Sequence, residues 1–243
     1  MRIGITDSGV GGLSVCAEVE ASLRESPAGQ DIEVVYLNAA LRDDYSYNAM
    51  PSREAKLEAF DRFLGSVRDR YRPDILFIAC NSLSVLFEDP YFDRHRDIPI
   101  EGIVEAGAAQ LTHALENEPG ASFIVFATPT TVEDGAYKNI LLQRGASAAQ
   151  VVQQACPGLP DAISNDSSGR QARELLQCFV PEALSGFESV PERVQAFLGC
   201  THYGYQAALF CELLEASVES VRVLNPNRAA AADILGQIAP ATG

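Results

Sequence analysis

Asp74-Ile75-Leu76-Phe77-Ile78-Ala79-Cys80-Asn81-Ser82 and Val194-Gln195-Ala196-Phe197-Leu198-Gly199-Cys200-Thr201-His202 decide the fold. Each is an apolar run that stops at a cysteine and passes at once into small hydrogen-bonding residues. A continuous apolar run of this length, bounded by a polar turn, reads as a strand buried on both faces, as in parallel sheets. In open α/β sheets, ligands sit beyond the carboxyl ends of such strands. The two runs therefore predict two thiols delivered to ligand-facing strand ends.

Working outward, the same grammar recurs. Arg2-Ile3-Gly4-Ile5-Thr6 is a first strand, and Gly9-Val10-Gly11-Gly12 turns it into a helix from about Leu13. Ile32 to Leu37 is a second strand. A polar loop over Asn38 to Pro51 leads to a helix beginning near Ser52, where Ser52-Arg53-Glu54-Ala55 is a good N-cap. Ile98 to Ile103 opens the second half. Ser122 to Thr128, Val151 to Gln154, Val194 to Cys200 and Val221 to Asn225 continue it, with a C-terminal helix last. Ser164 to Gly169 reads as an exposed turn. Strands alternating with helices predict an α/β fold of two similar lobes, each a mainly parallel sheet flanked by helices, with a cleft between them. The segment Glu88 to Pro99 is the expected crossover, and a linker after Cys200 returns the chain. The lobes are thus expected at residues 1–95 plus 206–243 and at 96–205.

Composition narrows the function. The chain has 243 residues, 47% of them apolar, and 33 acidic against 18 basic residues leave a net charge of −15. A nucleic-acid surface requires a basic patch, so no nucleic-acid partner is expected. A small anionic substrate is not excluded, because local dipoles override net charge in a cleft. No apolar stretch reaches the roughly 18 residues of a membrane span, so no membrane partner is expected. Met1 to Asp7 turns polar too early for a signal peptide, which predicts a cytoplasmic protein. The six cysteines form no CxxC pair and match no zinc template, so neither a metal nor a disulfide framework is expected. Cys16, Cys178 and Cys211 fall in helix-like segments and read as buried, inert thiols.

Three short segments carry candidate chemistry. After the first strand, Asp7-Ser8-Gly9-Val10-Gly11-Gly12 brings backbone close to whatever binds there. It has Ser14 where a dinucleotide fingerprint needs its last glycine, and a plain tight turn remains an equal reading. Asp7 either meets a partner at the strand end or caps the helix. Cys80 and Cys200, each taken alone, read as structural thiols. Asn81 and Ser82 beside one, and Thr201 and His202 beside the other, supply donors that stabilise a thiolate. His202 is also placed to move a proton or hold a carboxylate. His95 and His113 have no such neighbours and read as surface residues.

Asp7 to Val15, Ala79-Cys80-Asn81-Ser82 and Gly199-Cys200-Thr201-His202-Tyr203 together resemble the glutamate racemases of the aspartate/glutamate racemase superfamily. Ala127 to Val132, Ala155-Cys156-Pro157 and Leu224-Asn225-Pro226 are similar to further segments of that family, in the same order. The resemblance implies an isomerase, a racemase without cofactor, in which one cysteine thiolate removes the α-proton and the other returns a proton to the opposite face. It assigns those roles to Cys80 and Cys200, with Asp7 and His202 assisting. It gives Ser8, Asn81, Ser82, Thr130 and Thr201 the substrate ammonium and carboxylate. It implies a small amino-acid substrate, D-glutamate production for peptidoglycan, and, since family members often form dimers, a homodimer.

The chain also departs from the family. Ser82 stands for threonine. Tyr47-Asn48 is the nearest match to a Pro-Tyr-Gly loop that holds the substrate side chain. Ile163 or Ser164 falls where a glutamate is usual, Gly204 stands for proline, and Asn225 for aspartate. These changes leave two alternatives open. One is a relative racemising aspartate or another amino acid, with the Asp43 to Ser52 loop as the discriminating feature. The other is a non-catalytic amino-acid-binding or regulatory protein on the same fold.

Overall fold

The computed structural model describes residues 1–26, 29, 31–42, 45–95 and 97–238, so Asp43 and Asp44 of the discriminating loop lie outside the described residues. The chain divides into two compact units, one of residues 1–103 with 227–243 and one of residues 104–226.

The first unit is built on a four-stranded sheet. β1 (Arg2–Asp7), β2 (Glu33–Asn38), β3 (Ile75–Ile78) and β4 (Ile100–Gly102) lie in the order β2-β1-β3-β4. All its pairings are parallel. The inner strands β1 and β3 are buried nearly end to end, which is why they read as unbroken apolar runs, whereas β2 is half-exposed at the edge. Ser52 caps the next helix as the sequence predicts. Its side chain accepts from the Ala55 N–H at 3.3 Å and starts α2 (Arg53–Arg70). Leu57, Phe60, Leu64 and Val67 form the buried stripe of α2 at helical spacing. Phe60 meets Phe92 at 5.5 Å between ring centroids. Glycine at position 12 serves close approach rather than an unusual dihedral. A Cβ there would lie 2.9 Å from Asp7 Cβ and 3.2 Å from Ala79 Cβ, so only glycine lets α1 (Leu13–Glu25) start this near the sheet.

The second unit repeats the plan. β5 (Ser122–Ala127), β6 (Val151–Ala155), β7 (Arg193–Gly199) and β8 (Ser220–Leu224) form a parallel sheet in the order β6-β5-β7-β8. In the first unit α3 (Asn81–Phe87) joins β3 to β4, and α4 (Ile103–Asn117) leads to β5; between the strands of the second sheet run α5 (Pro129–Asp134), α6 (Ala136–Gln143), α7 (Leu159–Asn165), α8 (Arg170–Ser185) and α9 (Ala207–Glu215). Ala172, Leu176, Val180 and Ala183 form the buried stripe of α8. They pack with Phe126, Leu198 and Phe210 into this unit's main core. The last helix, α10 (Asn227–Ile238), returns to the first unit and packs on α1, where Asn227 Nδ2 donates to Ser14 Oγ at 3.0 Å.

Several expectations are corrected. The units divide at 103/104 and 226/227, not at 95/96 and 205/206. β4 pairs with β3 and so closes the first sheet instead of opening the second half. β8 pairs with β7, which keeps residues 206–226 in the second unit. Cys178 is exposed, and Cys16 and Cys211 are half-buried, because each sits off the apolar stripe of its helix. His95 is buried. It ends a turn of 3₁₀ helix over Pro90–His95, and its Nε2 lies 2.7 Å from Asp61 Oδ1, which also takes Arg94 Nε at 2.9 Å. The sequence shows no partner for this histidine because Asp61 lies 34 residues away.

Candidate active site

Both sheets reverse their strand order at one place, between β1 and β3 in the first unit and between β5 and β7 in the second. Such a switch point leaves a crevice beyond the strand ends, because the two flanking connections leave in opposite directions. The residues flanking it in the first unit follow Thr6 and Ile78, which face each other across β1 and β3. In the second unit they follow Ala127 and Gly199, the last facing pair of β5 and β7.

At the first switch point, β1 ends on Asp7, which is 1% exposed. Asp7 Oδ1 accepts from the Gly9 N–H at 3.1 Å and from the Ser8 hydroxyl at 3.5 Å. Ser8 Oγ also contacts Cys80 Sγ at 3.1 Å, so the three side chains form one chain. The Ala79 N–H donates to the Thr6 carbonyl at 2.8 Å and brings the end of β3 beside β1. The turn is held from β2, whose Tyr36 hydroxyl donates to the Gly9 carbonyl at 2.7 Å, a support that the sequence gives no reason to single out. Asn81 and Ser82 follow, both buried, as the first residues of α3. Burial foremost, and then the Asp7 carboxylate, push the Cys80 thiol up to about 12, against the hydrogen bonds offered by Ser8 and by the Leu83 N–H. Tyr47 and Asn48 lie in a 3₁₀ turn over Tyr47–Ala49, Tyr47 fully buried and Asn48 half-buried.

At the second switch point, β7 delivers Cys200 and runs into a 3₁₀ segment over Thr201–Gln206. Cys200 Sγ lies 3.8 Å from His202 Nδ1, and both residues are buried. Thr201 is 1% exposed. Beyond β5, Thr128 caps α5 and its Oγ1 lies 3.2 Å from Thr131 Oγ1, with Thr130 buried between them in sequence. The Cys156 N–H donates to the Ala127 carbonyl at 2.9 Å, and the Tyr203 hydroxyl donates to the Cys156 carbonyl at 3.4 Å. These two bonds tie the ends of β5, β6 and β7 together. Burial pushes the Cys156 thiol far up. Burial and then the Cys156 and Cys200 thiols hold the Tyr203 phenol well above its ordinary value.

Each unit thus gathers its own predicted residues. Asp7, Ser8, Cys80, Asn81 and Ser82 share the first switch point, and Thr130, Cys200, Thr201 and His202 the second. Ile163, where the family glutamate is absent, packs against the second unit's core. Glu182 of α8 lies at the end of β6, where its Oε2 accepts from Gln154 Nε2 at 3.0 Å, and nothing in the local sequence singles it out. Among the described residues, no group of three or more His, Cys, Asp or Glu side chains is placed to hold a metal ion. Among them, too, no helix is long and apolar enough to cross a membrane.

Comparison with known proteins bears on the fold and the family. The model of the Asp/Glu/Hydantoin racemase family matches residues 3–234. A glutamate racemase of Aquifex aeolicus is 29% identical over 231 residues, which are 95% of this chain and 81% of that protein. The solved structure of glutamate racemase from Aquifex pyrophilus matches with a TM-score of 0.70 at 26% identity, covering 98% of this chain and 84% of that one. The structure of glutamate racemase from Francisella tularensis in complex with D-glutamate shares the fold, with a TM-score of 0.74 at 21% identity over 99% of this chain and 81% of that one. With its two repeated α/β units and a match that spans nearly its whole length, the chain belongs to the Asp/Glu/Hydantoin racemase family and is a racemase.

Proposed function

We propose that the chain interconverts L- and D-glutamate, with Cys80 and Cys200 as the paired acid and base. One observation carries this reading: each unit ends the same strand of the same topology in a buried cysteine with polar neighbours, at its own switch point. In each direction one thiolate takes the α-hydrogen as a proton. The C–H bond breaks, an S–H bond forms, and the electron pair passes toward the α-carboxylate. The other thiol then gives its proton to the opposite face, so a C–H bond forms and a second thiolate remains. Two bases of equal strength suit a reaction whose substrate and product are mirror images. The carbanion requires donors on the carboxylate in a site that excludes water. Ser8, Asn81, Ser82, Thr130 and Thr201 are assigned to the ammonium and α-carboxylate, and the turn at Tyr47 and Asn48 to the side-chain end.

The thiols need help, because Cys80 at rest is held near 12. Asp7, linked to it through Ser8, is assigned to take the thiol proton, and His202 to serve Cys200 in the same way. The names of the relatives favour glutamate over other amino acids. All six cysteines are free, which fits a cytoplasmic enzyme that supplies D-glutamate for peptidoglycan. The test is deuterium wash-in at the α-carbon across a panel of amino acids in heavy water, with sedimentation on the same sample to read the expected homodimer. Exchange with glutamate, coupled to loss of optical rotation, is the expected result. Exchange with aspartate alone would replace the substrate, and no exchange with any amino acid would leave a binding protein.

A further inference from the structure

Tyr47 is among the largest fully buried side chains of the chain, at 1% exposure. Its ring stands edge-on to Phe60 with centroids 6.4 Å apart, in the same cluster of buried residues as Cys80. Its phenol oxygen is sealed from solvent and makes no hydrogen bond among the described residues. A buried hydroxyl without a partner destabilises the state in which it is found, and phenylalanine would fill the same space without that cost. The hydroxyl is thus better explained by a second state than by the resting one.

The group it would meet in that state, Cys80, belongs to the same buried cluster. Burial first, and then the neighbouring Cys80, hold the phenol above its ordinary range, partly offset by Arg62. Tyr47 therefore keeps its proton wherever Cys80 exchanges its own, and can act toward the sulfur only as a donor. The resting thiol has the Ser8 hydroxyl as its side-chain partner at 3.1 Å, and that hydroxyl is shared with Asp7. Forming a thiolate at a site that burial and Asp7 both oppose calls for more.

We propose that Tyr47 is a positioning residue for Cys80: its O–H turns to the sulfur, directly or across one water, when the thiolate forms, and supplies a hydrogen bond that the neutral thiol does not have. The inference rests on the reading of Cys80 as a base, and it would place one more donor on the first thiol than the sequence comparison assigns. The phenol keeps its proton throughout, so no bond is made or broken at Tyr47.

The test follows carbamidomethylation of Cys80 by iodoacetamide across pH in the full chain, read by peptide mass spectrometry, for the unaltered protein and for Tyr47→Phe. Cys200 in the same samples is the reference. The expected result is a Cys80 profile displaced upward by about one pH unit, which makes alkylation about tenfold slower at any fixed pH below the midpoint. The Cys200 profile stays in place, and the thermal midpoint of Tyr47→Phe equals or exceeds that of the unaltered protein. Superimposed Cys80 profiles would overturn the proposal, as would a Cys80 change accompanied by an equal change at Cys200. Tyr47→Met provides the same comparison if the phenylalanine variant does not fold. Alkylation requires no substrate, so a chain that exchanges no amino acid would refute the racemase reading and still decide the role of Tyr47.

Discussion

Replacing Asp7 by asparagine should make Cys80 more acidic while making the enzyme slower. The substitution keeps the shape and the acceptor oxygen that holds the Gly9 N–H, and removes only the charge. Asp7 Oδ1 and Cys80 Sγ each contact Ser8 Oγ, at 3.5 and 3.1 Å, so the two contacts laid end to end cap their separation at about 6.6 Å. Two like charges at that distance repel by about 2.5 kcal/mol at an effective dielectric of about 20. That corresponds to nearly two pK units. Both groups are buried, so bulk water screens little of it. In Asp7→Asn the Cys80 thiol should titrate nearly two units below its place in the unaltered protein, and iodoacetamide should label it roughly 70-fold faster at pH 8. The same variant should lose on the order of 100-fold in racemisation, because an amide cannot take the thiol proton. Labelling at an unchanged or slower rate would show that the carboxylate does not act on this sulfur, and the electrostatic account of Cys80 would have to be discarded.

Cys80→Ser and Cys200→Ser should each abolish racemisation at unchanged thermal midpoint, since an alkoxide is far harder to form than a thiolate; turnover by either variant would dissolve the pair. Gly107→Ala should cost about 1–3 kcal/mol in urea unfolding, beyond any gain in helix propensity. The new Cβ would lie 2.7 Å from Tyr137 Cε1 and 2.9 Å from Phe197 Cζ, whose rings are packed 4.5 Å apart and cannot yield. Asp61→Asn should be less stable than the unaltered protein at pH 7, with the gap closing in acid. Burial raises the Asp61 carboxyl, but the Arg94 and His95 hydrogen bonds outweigh it and leave it below 3.8. A lowered native value means stability that is present above the unfolded pKa of about 3.9 and lost as pH falls through the native one. Unfolding midpoints at pH 7 and pH 3 separated by the same amount would count against that ion pair.

The parts legible in the sequence are those in which local pattern and tertiary role coincide. β1, β3, β5 and β7 are buried on both faces, so their apolar runs cannot be mistaken, and the cysteines at the ends of β3 and β7 come with them. Ser52 announces α2 because a cap is a local device. Sheet membership is not local. β4 is three residues long, and only its pairing with β3 assigns it to the first unit. The edge strand β8 reads equally well as the first step of a return, until its register with β7 is known. Helix thiols fail for the same reason. Cys178 follows the exposed Gln177 on α8, one position past the apolar stripe, and composition alone does not show that offset. In the site, the residues adjacent to each cysteine are readable from sequence, whereas Tyr36 and Glu182, like the buried His95–Asp61 pair elsewhere in the first unit, act across long separations that carry no pattern.

The return of α10 to α1 builds the first unit from two segments that flank the second in sequence. Ala230, Ala231, Ile234 and Ile238 are buried on this helix, and Arg228 reaches Glu18 at 3.5 Å. During translation, residues 104–226 emerge as one uninterrupted segment and can close their sheet as soon as β8 leaves the ribosome. The unit that carries Cys80 is begun earlier and finished later, because α10 is made only after residues 104–226. A stop codon a few positions before Asn227 would therefore spare the later-made half and leave the earlier one with an uncovered apolar seam along Val15 and Val19.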